Sequence, residues 1–205
     1  LMIRRPPRST LSSSSAASDV YKRQQGEVLQ LQHQGEVDML EETYLKIISA
    51  KTAELFAAST KVGAILSDMK NKEKEALEFY GKNLGLTFQI ADDTLDYNSD
   101  LKLFGKKIGQ DFFEGKITLP IILLFQKLAL NEKKLLIEIF QKELKDKDDL
   151  NKIISLIKKY NIIKECYQKA QHYINLASNS LTVFNDSKEK EILKSLTSFS
   201  LARNF

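Results

Sequence analysis

The sequence has one cysteine, two histidines, no tryptophan and no long apolar run. Cys166 alone cannot form an intrachain disulfide, and such scarcity is typical of a reducing compartment, for which we expect the cytoplasm. His33 and His172 have no partner at the spacing of metal ligands, so we assign neither a role. No apolar stretch approaches the roughly 18 residues of a membrane span. The chemistry must therefore be sought in other residue types.

The net charge of +4 comes from the first 24 residues. They hold five basic side chains against one acidic, and the other 181 residues carry 26 of each sign. Because this remainder is neutral, the basic isoelectric point gives no support to a nucleic-acid-binding surface. A hydrophobic content of 42% allows one sizeable core.

Residues 1–24 need separate treatment, because they show no helical or strand periodicity and contain two of the three prolines. They resemble the translation of a sequencing-adapter read-through at the end of a faulty gene model. An Arg- and Ser-rich organelle transit peptide is the alternative. Since recognisable motifs begin directly afterwards, we favour the artefact. We expect an artefactual or disordered prefix at 1–24 and a folded unit at 25–205.

Apolar residues recur at helical spacing along the remainder, and no alternating strand pattern competes. An interruption of the first long helix near Gly63 is left open. Asp146, Asp148 and Asp149 intersperse with lysines, which favours a solvated turn and helix cap over a metal cluster. The pattern predicts an all-α fold with helices over 41–67, 72–97, 119–130, 132–144, 149–159, 162–183 and 187–202.

Three carboxylates interrupt the largely apolar stretch 88–97. On a helix, four polar side chains there share about 100° of arc: Gln89, Asp92, Asp93 and Asp96. Like charges one turn apart, as at Asp92 and Asp96, oppose helix formation by roughly 0.2–0.5 kcal/mol even when exposed. Magnesium would remove this repulsion, because it binds one or two carboxylates together with substrate phosphates. The stripe predicts half of a magnesium–diphosphate site.

Two glycine-rich turns with lysines follow the stripe, at 105–107 and 114–116. Lysine supplies a compact positive charge suited to phosphate oxygens, and glycine lets the backbone turn tightly beside a ligand. Lys106 and Lys116 are therefore the predicted diphosphate ligands, and Lys107 is read as a solvent-exposed neighbour. Both halves of a metal–phosphate clamp are present in the sequence.

At these motifs the chain resembles the trans-polyprenyl diphosphate synthases, in particular those that make octaprenyl and longer chains. Phe-Gln followed by D-D-x-x-D is met at 88–96, and Glu-Gly-Lys-x-Thr-Leu-Pro at 114–120. Upstream, Gly-Glu-x-x-Gln is met at 26–30 and Lys-Thr at 51–52. The resemblance covers residues 25–205 and implies the C-terminal portion of an isoprenoid-synthase helical bundle.

The resemblance also implies an activity, a prenyltransferase that elongates an allylic diphosphate with isopentenyl diphosphate, as in the synthesis of quinone side chains. It implies Mg²⁺ as the cofactor and a homodimer as the full-length assembly. The site residues that it implies are the metal ligands Asp92, Asp93 and Asp96, the diphosphate ligands Lys106 and Lys116, and the catalytic residues Lys51, Thr52 and Gln89 beside the allylic cation.

One departure from the family pattern limits this interpretation. The family has a first aspartate-rich motif, with nearby arginines, that faces the second across the cavity, and no residue from Gln25 onward supplies it. We expect the parent protein to be an enzyme, and this chain alone to have little or no activity and an exposed apolar face. A non-catalytic partner subunit is one alternative, although such subunits usually lose the second motif too. A terpene cyclase is another, although the segment 114–120 resembles the chain-elongating branch.

Overall fold

The structure, a computed structural model, describes the backbone of residues 11–98 and 108–202 and the side chains of 21–98 and 108–201. Within these ranges the secondary structure is helical and no strand occurs. The predicted all-α fold is confirmed. None of the helices in the described ranges is both long and apolar enough to cross a bilayer.

Two helical segments of another type adjoin the α-helices. A π-helical segment, Ser49–Ala53, joins the second helix to the third, and a 3-10 turn, Leu181–Val183, extends the ninth. In chain order the α-helices are α1 (Leu11–Gln32), α2 (Glu41–Ile48), α3 (Glu54–Leu66), α4 (Asn71–Leu95), α5 (Gln110–Phe113), α6 (Leu119–Lys127), α7 (Leu130–Gln141), α8 (Lys147–Lys159), α9 (Ile162–Ser180) and α10 (Lys188–Ala202).

The helices predicted between residues 41 and 202 are present, with ends that differ by a few residues. The first predicted helix, 41–67, is interrupted at the π-helical segment Ser49–Ala53. It is not interrupted at Gly63, which lies inside the regular helix α3. A methyl group added at Gly63 would meet nothing within 4 Å. This glycine therefore has no packing role, and its good helix-forming neighbours carry the helix through it.

Helical structure also reaches into the segment expected to be artefactual or disordered, because α1 begins at Leu11. Lys22, which lies in that segment, is 2.9 Å from Glu54 Oε2 on α3. Residues 11–24 belong to α1, since the serines and alanines there can extend a helix that the later, packed half of α1 nucleates. The origin of the segment and the boundary at residue 25 stay predictions.

The helix α4 is central to the fold, with α3 packed on one side and α9 on another. Gly81 and Gly85 permit the contact with α3. A Cβ atom at Gly81 would lie 2.5 Å from the Phe56 carbonyl oxygen, and one at Gly85 would lie 2.6 Å from Ala53 Cα. The predicted role of these two glycines in close helix packing is confirmed.

Of the three aspartates at the start of α8, Asp146 forms a cap, Asp149 forms a buried ion pair and Asp148 is exposed. Asp146 caps the helix, since its Oδ1 accepts a hydrogen bond from the Asp149 backbone N–H at 2.8 Å, as predicted. The prediction that the whole turn is solvated is wrong for Asp149, which is 1% exposed. Lys142 Nζ binds both of its oxygens, at 2.6 and 2.8 Å. This ion pair makes burial of the charge possible.

Candidate metal and diphosphate site

The acidic motif occupies the C-terminal end of α4, where Leu95 is the last helical residue and Asp96 the C-cap. Ile90 and Ala91 are buried apolar neighbours, so they set which face of the helix turns inward. Asp93 and Asp96 are 5% and 2% exposed, whereas Asp92 is half-buried. Carboxylates that share one helical stripe therefore have different surroundings.

Asp93 accepts one hydrogen bond from α2 and one from its own helix, α4. Tyr44 on α2 donates its hydroxyl to Oδ2 at 2.7 Å, and Gln89 donates Nε2 to Oδ1 at 2.8 Å. The other end of the Gln89 amide accepts a hydrogen bond from Thr52 Oγ1 at 2.7 Å. A continuous polar chain thus runs from Tyr44 through Asp93 and Gln89 to Thr52, and it joins two of the predicted catalytic residues.

Burial, and after it the negative charge of Asp111, raise the pKa of Asp93 to about 7. The hydrogen bonds from Tyr44 and Gln89 act in the opposite direction. The burial cost of this negative charge is therefore only partly offset by its protein partners. A nearby cation would favour the ionised form, so Asp93 has the electrostatic character expected beside a metal ion.

Both carboxylate oxygens of Asp96 accept hydrogen bonds from backbone N–H groups. Its Oδ1 accepts from the Gln110 N–H at 3.2 Å and its Oδ2 from the Asp111 N–H at 2.9 Å. Its carbonyl oxygen also accepts from the Gly109 N–H at 2.8 Å. Gly109 has a φ of 81°, which glycine adopts without strain. Asp96 thus ties the start of α5 to the end of α4, and a metal-binding role for it stays a prediction.

Lys51 and Thr52 lie in the π-helical segment Ser49–Ala53, a kind of turn found frequently at functional sites. Thr52 faces α4 through Gln89, and Lys51 faces α1, where its Nζ donates to Gln30 Oε1 at 2.9 Å. Glu27 Oε2 lies 3.3 Å from the same ammonium group. The two neighbouring residues therefore make contact with different walls of the site.

Lys116, the predicted diphosphate ligand whose side chain the structure describes, forms ion pairs with carboxylates. Its Nζ is 2.5 Å from Glu114 Oε2 and 3.3 Å from Asp111 Oδ1. Glu114 is the main cause of the raised pKa of Lys116, against an opposing effect of burial. Lys106, the other predicted diphosphate ligand, lies outside the described residues.

Two residues of this site were missed by sequence reasoning, Tyr44 and Asp111. Tyr44 occupies an ordinary apolar position of an amphipathic helix, so the sequence contains no signal that its hydroxyl binds a carboxylate. Asp111 lies between the two lysine-bearing turns, which is a weak signal. Its influence on Asp93 depends on how α5 folds back toward α4.

The donor set fits a metal bound together with a ligand. Among the described residues, no three His, Cys, Asp or Glu side chains converge on a point where they could hold a metal ion by themselves. Magnesium usually keeps several waters and takes only one or two carboxylates plus substrate phosphates. Asp92 and Asp93, with Lys51 and Lys116 nearby in the fold, match that pattern.

Known proteins of one family are similar to this chain. The profile of the polyprenyl synthetase family matches residues 12–157. The short chain isoprenyl diphosphate synthase of Methanothermobacter thermautotrophicus is 34% identical over 179 residues, 87% of this chain and 54% of that protein. The octaprenyl diphosphate synthase of Escherichia coli is 45% identical over 98 residues, 48% of this chain and 30% of that protein. The chain spans about half the length of such relatives, or less.

Solved structures agree with these sequence matches. A decaprenyl diphosphate synthase from Rhodobacter capsulatus superposes with a TM-score of 0.89 at 29% identity, over 96% of this chain and 61% of that one. A polyprenyl synthase from Caulobacter crescentus, solved with calcium and isoprenyl diphosphate, gives 0.90 at 34% identity, over 96% and 60%. The family predicted from the motifs is confirmed. This chain belongs to the polyprenyl synthetase family of trans-prenyl diphosphate synthases.

Proposed function

We propose that this chain forms one wall of the active site of a trans-prenyltransferase that joins an allylic diphosphate to isopentenyl diphosphate. The observation that carries the proposal is the polar chain from Asp93 through Gln89 to Thr52. It lies at an aspartate-rich motif, and two lysines of the same fold, Lys51 and Lys116, are held by carboxylates. A scaffold helix would gain nothing from a buried carboxylate with a pKa raised to about 7.

Magnesium bound at Asp92 and Asp93 would act as a Lewis acid that neutralises charge on the departing diphosphate. Lys51 and Lys116 would bind oxygens of that diphosphate, together with Lys106 as assigned from the sequence. Preorganised charges of this kind stabilise negative charge as it develops in the transition state.

The direction of the hydrogen bonds gives Thr52 and Gln89 a defined role. An ionised carboxylate only accepts hydrogen bonds, so the NH₂ end of Gln89 must face Asp93. The carbonyl end of Gln89 is then left for Thr52, whose hydroxyl proton is used in donating to it. The free lone pairs of Thr52 are thereby available to a carbocation. We propose that this residue stabilises the allylic cation electrostatically.

Several finer statements belong to the same proposal. The sequence contains one D-D-x-x-D motif where the family resemblance implies two, so we propose that this chain alone has little or no turnover. Supply of a quinone side chain, work as a homodimer, and a cytoplasmic location are also proposed.

Calorimetric titration of the 205-residue chain with inorganic pyrophosphate, with and without MgCl₂, tests the proposed site. We expect binding that requires Mg²⁺ and stabilises the fold by about 2.7 kcal/mol at a hundredfold excess over Kd. Asp92→Asn and Lys116→Met should each weaken this binding, whereas Lys164→Met, on the exposed surface of α9, is the charge-matched control. Equal affinity in all four proteins would refute the site.

Turnover is tested separately, with an allylic diphosphate, isopentenyl diphosphate and Mg²⁺. No elongated product is expected from this chain. Clear elongation would contradict the proposal that a second aspartate-rich motif is required.

A further inference from the structure

The helix α1 is pressed against the backbone of the π-helical segment. A Cβ atom at Gly26 would lie 2.9 Å from the backbone nitrogen of Lys51 and 3.1 Å from Ala50 Cβ, so only glycine allows this approach. Glu27 and Gln30 are three residues apart and therefore share one face of α1. This face meets the Lys51 ammonium, at 3.3 Å from Glu27 and 2.9 Å from Gln30.

Lys116 is held in a similar way, at a cavity that Glu27 and Gln30 also line. Glu114 lies 2.5 Å from its ammonium group. The hydrogen bond from Lys116 is the main cause of the lowered pKa of Glu114, and the charge of Lys51 contributes too. The cavity has a volume of about 400 Å³, and its lining includes Glu27, Gln30, Gln34, Glu114 and Lys116. Lys51 and Lys116 thus each have a carboxylate partner that lines this cavity.

The two acceptors on α1 differ in charge and in exposure. A lysine ammonium has three N–H donors. Gln30 takes one without cancelling the charge, and this orients the group. The Glu27 side chain is 44% exposed, against 21% for Lys51, so it can move into solvent at little cost. A diphosphate carries more negative charge than one carboxylate and would compete with Glu27 for the same ammonium.

We propose that Glu27 and Gln30 are positioning residues for Lys51, and that Glu27 is a built-in counter-ion which a bound diphosphate displaces. This inference rests on the proposed function, because it assumes that Lys51 binds the diphosphate. It assigns to α1 the control of affinity for the anion. Negative charge at position 27 opposes binding, and negative charge placed at position 30 would oppose it further.

Two nearly isosteric substitutions with opposite charge changes test the inference. Glu27→Gln should bind magnesium pyrophosphate roughly threefold to tenfold more tightly than the wild-type chain, and Gln30→Glu should bind it more weakly by a similar factor. Both effects should shrink in about 0.5 M salt, because exposed charges are screened. Glu138→Gln removes the same charge from the exposed surface of α7 and should leave affinity unchanged.

A second measurement separates this inference from the proposed function. The NMR signal of the Lys51 ammonium protons, assigned with Lys51→Arg, should be protected from exchange in the wild-type chain and lost in Gln30→Ala. If the wild-type chain binds pyrophosphate but both charge variants bind it equally well, the counter-ion role is wrong and the proposed function stands.

If the wild-type chain does not bind pyrophosphate, the proposed function and the counter-ion role both fall. The ammonium signal then decides the positioning role. Its loss in Gln30→Ala supports that role, and an unchanged signal overturns it. If the contact of α1 is purely structural, the substitutions will alter the stability of the variants, but they will not change the affinity for pyrophosphate in opposite directions.

Discussion

The hydrogen bond from Tyr44 to Asp93 predicts a destabilisation that depends on pH. Tyr44 is 1% exposed and Asp93 is 5% exposed, and the bond between them is 2.7 Å long. Tyr44→Phe removes the donor and leaves the ring in place. Because hydrogen bonds to charged groups contribute about 1.5–3 kcal/mol and those between neutral groups about 0.5–1.5 kcal/mol, the cost depends on the protonation of Asp93.

The pKa of Asp93 rises from 3.8 to about 7 on folding, mainly because of burial. Between pH 3.8 and about 7 the folded state holds a proton that the unfolded state has lost, so stability falls over this range. The contribution of this group to stability is therefore fully present only below pH 3.8. The contribution is lost as the pH rises through about 7. Raising a carboxyl pKa over that range costs the ionised state about 4 kcal/mol. About 2 kcal/mol of this loss falls between about pH 5.5 and the upper plateau.

Urea unfolding in EDTA at about pH 5.5 and pH 8.5 measures this effect. We expect Tyr44→Phe to lose about 0.5–1.5 kcal/mol at the lower pH and about 1.5–3 kcal/mol at the higher. Tyr80→Phe is the matched control, because the Tyr80 hydroxyl donates at 2.8 Å to a neutral acceptor, the Leu193 carbonyl. Its cost should be the same at both values of pH. Asp93→Asn should abolish the pH dependence attributed to Asp93.

A Tyr44→Phe variant whose loss of stability is equal at the two pH values would contradict this prediction. So would a wild-type stability that does not fall more steeply with pH than that of Asp93→Asn. Either result would mean that Asp93 is ionised throughout this range in the folded protein, or that the hydroxyl of Tyr44 contributes nothing to its state.

Three further predictions concern packing and surface charge. Gly85→Ala should cost more than about 2 kcal/mol in urea unfolding, because its methyl group meets the backbone of the π-helical segment at Ala53, whereas Gly63→Ala in open space should gain up to about 1 kcal/mol. Leu66, 80% exposed on α3, should contribute to binding of a hydrophobic dye, so Leu66→Glu should lower the fluorescence of the bound dye. Unchanged dye fluorescence would mean that this face is covered in solution. Lys142 holds the pKa of Asp149 below its usual range, so that pair stabilises the fold at neutral pH and is lost as the pH falls through the folded pKa. An acid titration followed by circular dichroism should show that loss in the wild-type chain and not in Lys142→Met, which is already destabilised at neutral pH.

The local elements were predictable because their signals are local. Apolar spacing identified α4 and α9, and polar clusters marked their ends. The π-helical turn at Ser49–Ala53 was not predictable, since one additional residue per turn leaves no clear mark on a periodic pattern of apolar residues. The start of α1 at Leu11 was missed for a related reason. A Ser- and Ala-rich stretch has no apolar periodicity, yet it tolerates a helix once the following turns are packed.

The candidate site was only partly predictable. The acidic stripe was found from residue types and spacing, whereas the Lys-Thr pair was assigned only through the family resemblance. Thr52 and Gln89, 37 residues apart, were assigned a common place only by resemblance, and the structure joins them through one hydrogen bond. That Asp96 binds the backbone at the start of α5 was not foreseen, because a carboxylate in a metal-binding pattern and one in a structural role have the same spacing.

The sequence by itself determined the helical class, the order of the motifs and the family, because each depends on residues that are close along the chain. Only the tertiary structure decided how Asp92, Asp93 and Asp96 differ, and which partner holds Lys51. Those differences arise from burial, from hydrogen-bond donors on α2 and α5, and from acceptors on α1. The charge and reactivity of a carboxylate depend on the groups around it in space, and these are set by packing between distant segments.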